Sequence, residues 1–445
     1  MDQQIDSQQV TGRRVVVIGA GFAGLQLVKD LGGAGCQITL IDQRNHHLFQ
    51  PLLYQVATTL LATSDVAWPI RRLVARRPDV TTLLATVVGI DAAAKQVLLE
   101  GGGRVPYDIL VIATGARHAY FGHDEWAEFA PGLKTLEDAT SIRRRILLAF
   151  ERAEMTGDPA ARATQLTFAV IGAGPTGVEL VGIIAELAQH VLPREFRHID
   201  TRDARILLIE AGPRILAAFS PELSDYAANA LEKHGVQVLT GRPVTDISAM
   251  GIMLGDDFIP THTVIWAAGL QASPAAEWLG ADADRAGRMM VTPDLTVPGH
   301  PDIFVLGDTA HVESEGQMVP GVAPAAKQQG KYAARMIRSR LDGGKLPGPF
   351  RYRSMGNLAT IGRNAAVIEY GKLRLKGWPA WWAWGIAHIY FLIGTRSRLA
   401  VALSWLWSFV TGQNSARLIT QGEKPRPLLV GSAAHPTAHQ QPPDR

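Results

Sequence analysis

The sequence predicts an α/β protein in which one Rossmann-like dinucleotide-binding domain is interrupted by a second, followed by a C-terminal helical and aromatic segment. Two copies of the spacing G-x-G-x-x-G predict the paired domains, at 19–24 and 172–177. A late apolar strand that ends on Asp308 predicts that the chain returns to the first domain. A cluster of tryptophans after residue 377 sets the last segment apart.

The first glycine motif has the neighbours that a dinucleotide fingerprint needs. Val15–Ile18 is an apolar strand pattern, an apolar helical pattern follows Gly24, and a second strand ends on Asp42. Gly19 permits a tight turn, Gly21 lets a pyrophosphate approach the backbone, and Gly24 lets helix and strand pack closely. The helix N-terminus offers unpaired N–H groups to phosphates, and the carboxylate of Asp42 can bind ribose hydroxyls.

The second motif repeats this device. The strand Phe168–Ile171 leads into Gly172, and a later strand, Ile206–Ile209, ends on Glu210. The interval to this acid exceeds the usual interval of about 20 residues, which we attribute to an insertion at 193–205. Two fingerprints in one chain predict two bound dinucleotides.

Composition excludes several classes of protein. The 445 residues are 47% hydrophobic and include 44 glycines, which suits a folded α/β enzyme. The net charge of +3 is too small to suggest a nucleic-acid partner. Cys36 is the single cysteine, so a redox disulfide, a zinc site and an iron–sulfur cluster are excluded, and we predict no metal. The polar stretch 1–9 predicts no secretory signal.

The remaining elements follow in order. We predict a helix over 66–77, strands Val87–Ile90 and Gln96–Leu99 that turn at 101–103, and a helix near 142–154. Paired strands are expected within 355–370. The predicted division is a first domain at 12–115 and 296–345, a connector at 116–165, a second domain at 166–275, a linker at 276–295, a hairpin and amphipathic segment at 346–412, and a flexible tail at 413–445.

Six of the ten tryptophans lie in two apolar runs, Trp378–Gly394 and Leu399–Val410. A helix that spans a bilayer needs about 20 apolar residues, and Pro379 and His388 interrupt the first run. Dense tryptophan flanked by basic residues favours a helix pair that lies at a membrane interface. A dimer interface or a lid over a domain remain as alternatives.

The order of these motifs resembles the flavoprotein disulfide reductase superfamily, with a FAD domain interrupted by an NAD domain. Within it, the stretch Asn45–Gln55, the second fingerprint with Glu179, and the aromatic segment resemble type II NADH dehydrogenases, which are non-pumping NADH:quinone oxidoreductases. The resemblance covers about 12–412. It implies hydride transfer from NADH to FAD, reduction of a membrane quinone, and peripheral attachment to the cytoplasmic face of the cell membrane, or to the inner mitochondrial membrane in a eukaryote.

The resemblance also assigns residues to FAD. The pyrophosphate would meet Gly19, Ala20, Gly21, Phe22, Ala23 and Gly24, the adenosine ribose Asp42 and Gln43, and the adenine Val87. Residues Ala113, Thr114 and Gly115 would pass near the cofactor. Asp308 would hold the ribityl chain, Ala323 and Pro324 would meet the isoalloxazine, and Lys376 would lie near the flavin edge. A helix-capping role is the alternative for Asp308.

NADH would occupy the second fingerprint, at Gly172, Gly174 and Gly177, with Glu210, Ala268 and Gly269. Because a carboxylate repels a 2′-phosphate, Glu210 favours NADH over NADPH, and the nearby Arg214 weakens that preference.

For catalysis, the resemblance points to Glu179, which lies in the first turn of the second fingerprint helix. A purely electrostatic response to the helix dipole is the alternative. His46 and His47 are proton-donor candidates for a quinone, with a packing role as their alternative. Pro324 stands where many members carry glutamine, so we expect Gln328 and Gln329 to face the quinone channel instead.

Two other functions remain open at this stage. One is a soluble reductase that passes electrons to a ferredoxin or rubredoxin, which gives no reason for the tryptophans. The other is an NADH-binding flavoprotein sensor. Disulfide reductases and sulfide:quinone enzymes need at least two cysteines and are excluded. A homodimer through the aromatic segment also remains open.

Overall fold

The computed structural model describes residues 12–414 and 416–420. The polar stretch 1–9 and the part of the predicted flexible tail beyond residue 420 lie outside the described residues.

The first part of the chain builds a parallel sheet and a small antiparallel sheet. Its elements are β1 (Arg13–Ile18), α1 (Phe22–Asp30), β2 (Cys36–Asp42), β3 (His46–Leu48), α2 (Leu53–Ala57), α3 (Thr63–Val66), β4 (Ala67–Pro69), α4 (Ile70–Leu73), β5 (Val80–Leu84), β6 (Val87–Asp91), β7 (Gln96–Leu99), β8 (Arg104–Pro106) and β9 (Ile109–Ile112). Strands β6, β7 and β8 pair antiparallel in that order.

A connector and a second parallel sheet follow. These elements are β10 (Ala116–His118), α5 (Leu136–Met155), α6 (Pro159–Gln165), β11 (Thr167–Ile171), α7 (Pro175–Glu186), β12 (Arg205–Glu210), α8 (Pro221–Lys233), β13 (Val236–Thr240), β14 (Asp246–Ser248), β15 (Gly251–Leu254), β16 (Asp257–Pro260), β17 (Thr263–Trp266), β18 (Leu270–Ala272) and α9 (Ala275–Leu279). The sheet has the order β13-β12-β11-β17.

The chain then returns to the first sheet before it forms the C-terminal segment. These elements are β19 (Met289–Met290), β20 (Thr296–Val297), β21 (His300–Val305), β22 (Ala310–His311), β23 (Glu313–Ser314), β24 (Gln317–Met318), α10 (Ala323–Leu341), β25 (Asn357–Gly362), β26 (Ala365–Tyr370), β27 (Leu373–Lys376), α11 (Trp378–Phe391) and α12 (Thr395–Thr411). The first sheet therefore has the order β20-β21-β9-β1-β2-β5.

This strand order confirms the predicted α/β class with two Rossmann-like sheets. In each sheet the fingerprint strand, β1 or β11, lies between the strand that ends on the acid and a later parallel strand. The central strands are buried on both faces, which explains their continuous apolar sequences. The carboxyl ends of parallel strands meet at one edge, where ligands bind in open α/β sheets.

Three local predictions differ from the structure. The helix expected over 66–77 is two short helices separated by β4, because Pro69 lacks an N–H and Trp68 pairs with His47 across a β-ladder. The turn at 101–103 joins β7 to β8, whereas β6 and β7 turn earlier, at 92–95. The connector helix begins at 136 because Thr135 and Asp138 cap it reciprocally.

Candidate active site

The first fingerprint turn leaves room for a ligand at one glycine and none at the others. Gly19 has φ +99°, and a Cβ there would overlap the carbonyl oxygen of Ala113. A Cβ on Gly24 would overlap the carbonyl oxygen of Gly19, so helix and turn lie in direct contact. Around Gly21, apart from its own neighbours in the chain, no described residue has an atom within 4 Å of such a Cβ. The turn is thus closed toward the protein and open where a pyrophosphate would approach.

Asp42 fastens this turn to the end of β2. Its carboxylate accepts hydrogen bonds from the backbone N–H of Ala20 at 2.7 Å and of Arg44 at 2.8 Å. Gly21 precedes α1 without a side-chain cap, which leaves N–H groups of the first turn unpaired. Open space, free donors and a carboxylate together fit the pyrophosphate and ribose of FAD. Gln43 is exposed beside Asp42, and Val87 is buried at the start of β6.

The second turn repeats this geometry beside an open cavity. Gly172 has φ +99° and its Cβ would stand 2.6 Å from the backbone nitrogen of Ala268, whereas Gly174 is clear of protein atoms. Glu210 accepts from the N–H of Ala173 and of Gly212, both at 2.8 Å. A cavity of about 750 Å³ adjoins these groups, and its lining includes Gly172, Gly174, Glu210, Ala268 and Gly269. Its shape and polar groups fit a nicotinamide dinucleotide.

Arg214 does not face a ligand at Glu210. Its guanidinium donates to the backbone carbonyls of Phe219 at 2.7 Å and Ala217 at 2.8 Å, within its own loop. The expected weakening of the NADH preference by Arg214 is therefore not supported. The arginine that lines the cavity is Arg242, which is ion-paired with Asp257.

The two turns are tied to each other at their carboxyl edges. Strands β10 and β18 pair antiparallel, which joins the segment after Gly115 to the segment after Gly269. The hydroxyls of Thr114 and Ser273 are 2.5 Å apart, and the N–H of Ser273 donates to the carbonyl of Gly115. Ligands on the two turns would consequently face one another across this junction.

Asp308 lies at the end of β21, beside the first turn. Its carboxylate pairs with the ammonium of Lys134 at 3.4 Å, and Gly321 lies close against it. The adjacent Gly307 donates its N–H to the side-chain oxygen of Gln329 at 2.6 Å. This bond corrects the expectation for Gln329, because its buried amide holds the Gly307 turn instead of facing a channel.

Helix α10 begins at Ala323 with Pro324 in its first turn and no side-chain cap. The missing N–H of proline costs nothing there, since first-turn donors have no helical partner. The uncapped end favours negative charge on a ring placed against it. Gln328 does not face this end: its amide bonds both the N–H and the carbonyl of Arg353, at 2.9 and 2.8 Å.

Lys376 also departs from its predicted place at the flavin edge. Its ammonium is 2.8 Å from the carboxylate of Glu222 and lies over the ring of Tyr226, both on α8 of the second domain. The lysine beside the first fingerprint is Lys327, which lies 5.3 Å from the ring centroid of Phe22. The sequence places Lys327 one turn after the start of α10, and this position was available as a signal.

Glu179 is the buried acid of the site. It lies on α7, whose Gly182 packs directly on the backbone of Ile361 in β25. Burial raises the pKa of the Glu179 carboxyl well above its ordinary value, and a hydrogen bond from the backbone of Thr360 only partly opposes this. The carboxyl therefore favours its protonated form, as a proton donor at neutral pH must.

Sequence reasoning missed the polar pair next to Glu179. Tyr54 is fully buried on α2, and burial together with the charge of Glu179 raises the pKa of its phenol. The amide of Gln55 donates to the Tyr54 hydroxyl at 3.1 Å and accepts from the indole N–H of Trp405 at 2.7 Å. Two adjacent polar side chains inside an apolar run, Leu52–Ala57, were the available signal.

An aromatic row, defined as Phe22, Phe49, His388, Trp384 and Trp405, leads from the first turn to the C-terminal helices. Successive ring centroids lie 5.9, 6.4, 4.1 and 5.4 Å apart.

His47 lies beside the start of this row. It donates from Nδ1 to the carbonyl of Ala20 at 2.8 Å and meets Phe22 edge-on. Burial lowers the pKa of His47 to about 4, so the ring is neutral and its second nitrogen has no partner among the described residues.

Helices α11 and α12 carry large apolar side chains to the surface. The exposed members of this apolar face are Trp378, Trp382, Ile386, Tyr390, Leu399, Leu403, Leu406, Trp407 and Val410. Over the part of the chain that the structure describes, no helix has both the length and the hydrophobicity to cross a bilayer. Exposed apolar side chains concentrated on two neighbouring helices mark an interaction site.

Comparisons with known proteins agree with this geometry. Residues 13–330 match the pyridine nucleotide-disulphide oxidoreductase family. A type II NADH:quinone oxidoreductase of Mycobacterium tuberculosis is 43% identical over 432 residues, which cover 94% of this chain and 92% of the relative. A mitochondrial internal alternative NAD(P)H-ubiquinone oxidoreductase of Arabidopsis thaliana is 30% identical, with 91% and 86% covered. The structure of NDH2 from Plasmodium falciparum in complex with NADH has the same fold, with a TM-score of 0.82, 20% identity, and 92% and 100% covered.

Proposed function

We propose that this chain, which belongs to the pyridine nucleotide-disulphide oxidoreductase family and within it to the type II NADH:quinone oxidoreductases, oxidises NADH and reduces a quinone to a quinol. The observation that carries this function is the junction of the two fingerprint turns, through the Thr114–Ser273 contact and the β10–β18 ladder. Two nucleotide sites that share one junction suit electron transfer between their occupants.

When bound, FAD supplies a ring that accepts a hydride and passes electrons onward in pairs. The chain aligns and encloses the reactants. The second turn and Glu210 would orient NADH, while Asp42, Asp308 and the start of α10 would hold the FAD. The uncapped helix end at Ala323 favours negative charge on the ring. The alternative of a soluble ferredoxin or rubredoxin reductase does not explain the exposed apolar side chains of α11 and α12.

We propose Glu179 as the catalytic residue that holds a proton near this junction. Its burial raises the pKa of the carboxyl, which favours the protonated form. Reduction of a quinone consumes two protons, so a buried acid with a raised pKa suits proton delivery. Glu186, on the same helix, faces Arg363 instead.

The aromatic row supports a route for the quinone. It joins the first turn to helices whose outer face is apolar, and Lys327 lies over both Phe22 and Phe391 along it. An apolar quinone could reach the flavin site from lipid past these rings. His47 lines the inner end of this route as a neutral ring, which suits packing better than proton donation.

We further propose that the apolar face docks on a bilayer surface without crossing it, on the cytoplasmic side where NADH is available. Exposed tryptophans at the ends of paired helices suit the headgroup region. Replacement of the exposed Trp382 and Trp407 by serine should reduce membrane partition, while NADH-driven reduction of a water-soluble quinone persists. If the apolar face instead forms a homodimer, the wild type should sediment as a dimer and the variant as a monomer.

Anaerobic stopped-flow spectroscopy tests the reaction. NADH should bleach the absorbance of the bound flavin, and a quinone should restore it at a rate that accounts for steady-state turnover. A flavin that NADH fails to bleach would exclude the proposed function, and slow turnover with a long-lived charge-transfer band would favour a sensor. The nucleotide preference is tested by measuring kcat/KM with NADH and with NADPH. The ratio of the two values should be about tenfold smaller in Glu210→Gln than in the wild type.

A further inference from the structure

A second cavity lies on the first domain, separate from both nucleotide turns. Helix α10 forms one wall and the extended segment 347–355 forms the other, and they enclose about 700 Å³. Four cations line it in two rows. Lys331 and Arg335 are four residues apart on one face of α10, and Arg351 and Arg353 alternate along the extended wall. We call this cavity the basic groove.

Among the described residues, no acidic side chain neutralises the four cations. Each of their side chains is exposed, and among the described residues none forms an ion pair. No aspartate or glutamate is among the residues that line the groove. Like charges brought together without counterions repel one another, so the arrangement favours an anionic ligand.

Packing and hydrogen bonds hold the floor and the walls of the groove in place. Tyr332 and Phe350 form its floor as a T-shaped pair 5.5 Å apart, and the Tyr332 hydroxyl donates to the carbonyl of Gly348 at 2.8 Å. Arg335 lies 6.0 Å from the Tyr332 ring centroid. The paired hydrogen bonds between Gln328 and the backbone of Arg353 fix the extended wall to α10.

The groove adjoins the C-terminal end of α11 through Lys327. Lys327 lies one helical turn before Lys331 on the same side of α10, and its ammonium is 5.5 Å from the ring centroid of Phe391 at the end of α11. Met355 at the end of the extended wall and Leu346 just before it are about half exposed, at 46% and 52%. In a phospholipid, a charged phosphate lies next to hydrocarbon chains. The cations could pair with the phosphate while the exposed apolar side chains contact the hydrocarbon.

We propose that the basic groove binds the phosphate headgroup of an anionic phospholipid while α11 and α12 rest on the same bilayer. This inference rests on the proposed membrane docking. A soluble phosphate compound would need the same cations but not the exposed apolar rim or the neighbouring end of α11, so a lipid is the favoured occupant. The groove would add lipid selectivity and orientation to the attachment that the tryptophans provide.

Vesicle binding by the full-length holoenzyme tests this inference. One set of vesicles contains phosphatidylcholine alone, and the other contains phosphatidylcholine with phosphatidylglycerol. The variants are Arg351→Gln with Arg353→Gln and, independently, Lys331→Gln with Arg335→Gln. Lys233→Gln with Arg285→Gln is the matched control, because these exposed cations lie outside the groove. Thermal melting and NADH oxidation with a water-soluble quinone verify that each variant folds.

The groove variants should lose affinity for the anionic vesicles by roughly fivefold per cation removed, and the control pair much less. Binding to neutral vesicles should be unchanged. Equal losses in the groove and control pairs would overturn the inference. So would thermal stabilisation by inorganic pyrophosphate that the groove variants abolish, together with unaltered vesicle binding. If the wild type binds neither vesicle, the membrane docking fails first, while the reaction with soluble quinone stays intact.

Discussion

Trp405 donates its indole N–H to the side-chain oxygen of Gln55 across 2.7 Å, although 350 positions separate the two residues in the chain. Gln55 in turn donates to Tyr54, whose phenol has a pKa raised by burial and by the ionised form of Glu179. A surface helix of the C-terminal segment is thereby connected by hydrogen bonds to the neighbour of the buried acid. The attachment of α12 and the arrangement of the site are therefore parts of one structure.

The first prediction concerns this bond. Trp405→Phe keeps the ring but leaves the buried oxygen of Gln55 without a donor, which should cost about 1–3 kcal/mol. We expect α12 to detach more often, measured as faster limited proteolysis within 395–411. Trp407→Phe is the control, because Trp407 is exposed on the apolar face. Equal proteolysis rates in the two variants would show that the bond does not hold the helix.

The second prediction tests Glu179. Glu179→Gln removes the proton but keeps the shape, so quinone-dependent flavin reoxidation should slow by about 10²-fold. Glu186→Gln alters a partly buried acid with a raised pKa on the same helix and should leave that rate unchanged. Stopped-flow traces in both half-reactions give the comparison.

Glu179 also predicts a pH effect on stability. Because its folded pKa is raised, the wild type loses stability as pH rises from the ordinary glutamate value through the folded pKa. Glu179→Gln should lack this decline, whereas a variant whose stability still falls in parallel with the wild type would refute the assignment.

How much the sequence could predict differs between the fold and the site. The fingerprint turns follow from local physics, since Gly19 and Gly172 each need a positive φ and lie too close to the next strand for a side chain. The α/β fold and the two cofactors were therefore predictable. The roles of Gln328 and Lys376 were not, because their partners, Arg353 and Glu222, come from distant segments whose approach depends on the assembled tertiary structure.

A fourth prediction distinguishes the space left for a ligand from the packing of the protein at the second turn. Gly174→Ala adds a methyl group where no described residue other than its chain neighbours lies within 4 Å, so folding should be unaffected while the KM for NADH rises about tenfold. In Gly177→Ala the same methyl group overlaps the carbonyl of Gly172, and we expect a loss of several kcal/mol and reduced soluble yield. Thermal melting with and without NADH distinguishes them. A Gly174→Ala protein that melts early would contradict the open geometry.

The last prediction concerns acid stability and His47. Burial holds its folded pKa near 4, below the ordinary value of 6.5, and protonation would place a charge on a nitrogen without an acceptor, beside Lys327. A depressed histidine pKa contributes stability that is complete above 6.5 and is lost as pH falls toward 4. Over this window the loss of stability should approach about 3 kcal/mol.

His47→Asn retains a donor for the carbonyl of Ala20 but cannot titrate, so its stability should fall less between pH 6.5 and 4. Lys327→Met should make this loss of stability smaller and end it at a higher pH, because removal of the neighbouring charge raises the folded pKa of His47 while the unfolded pKa, which sets the onset, is unchanged. Denaturant unfolding at successive pH values measures both effects, and a His47→Asn curve parallel to the wild type would assign the acid sensitivity to other groups.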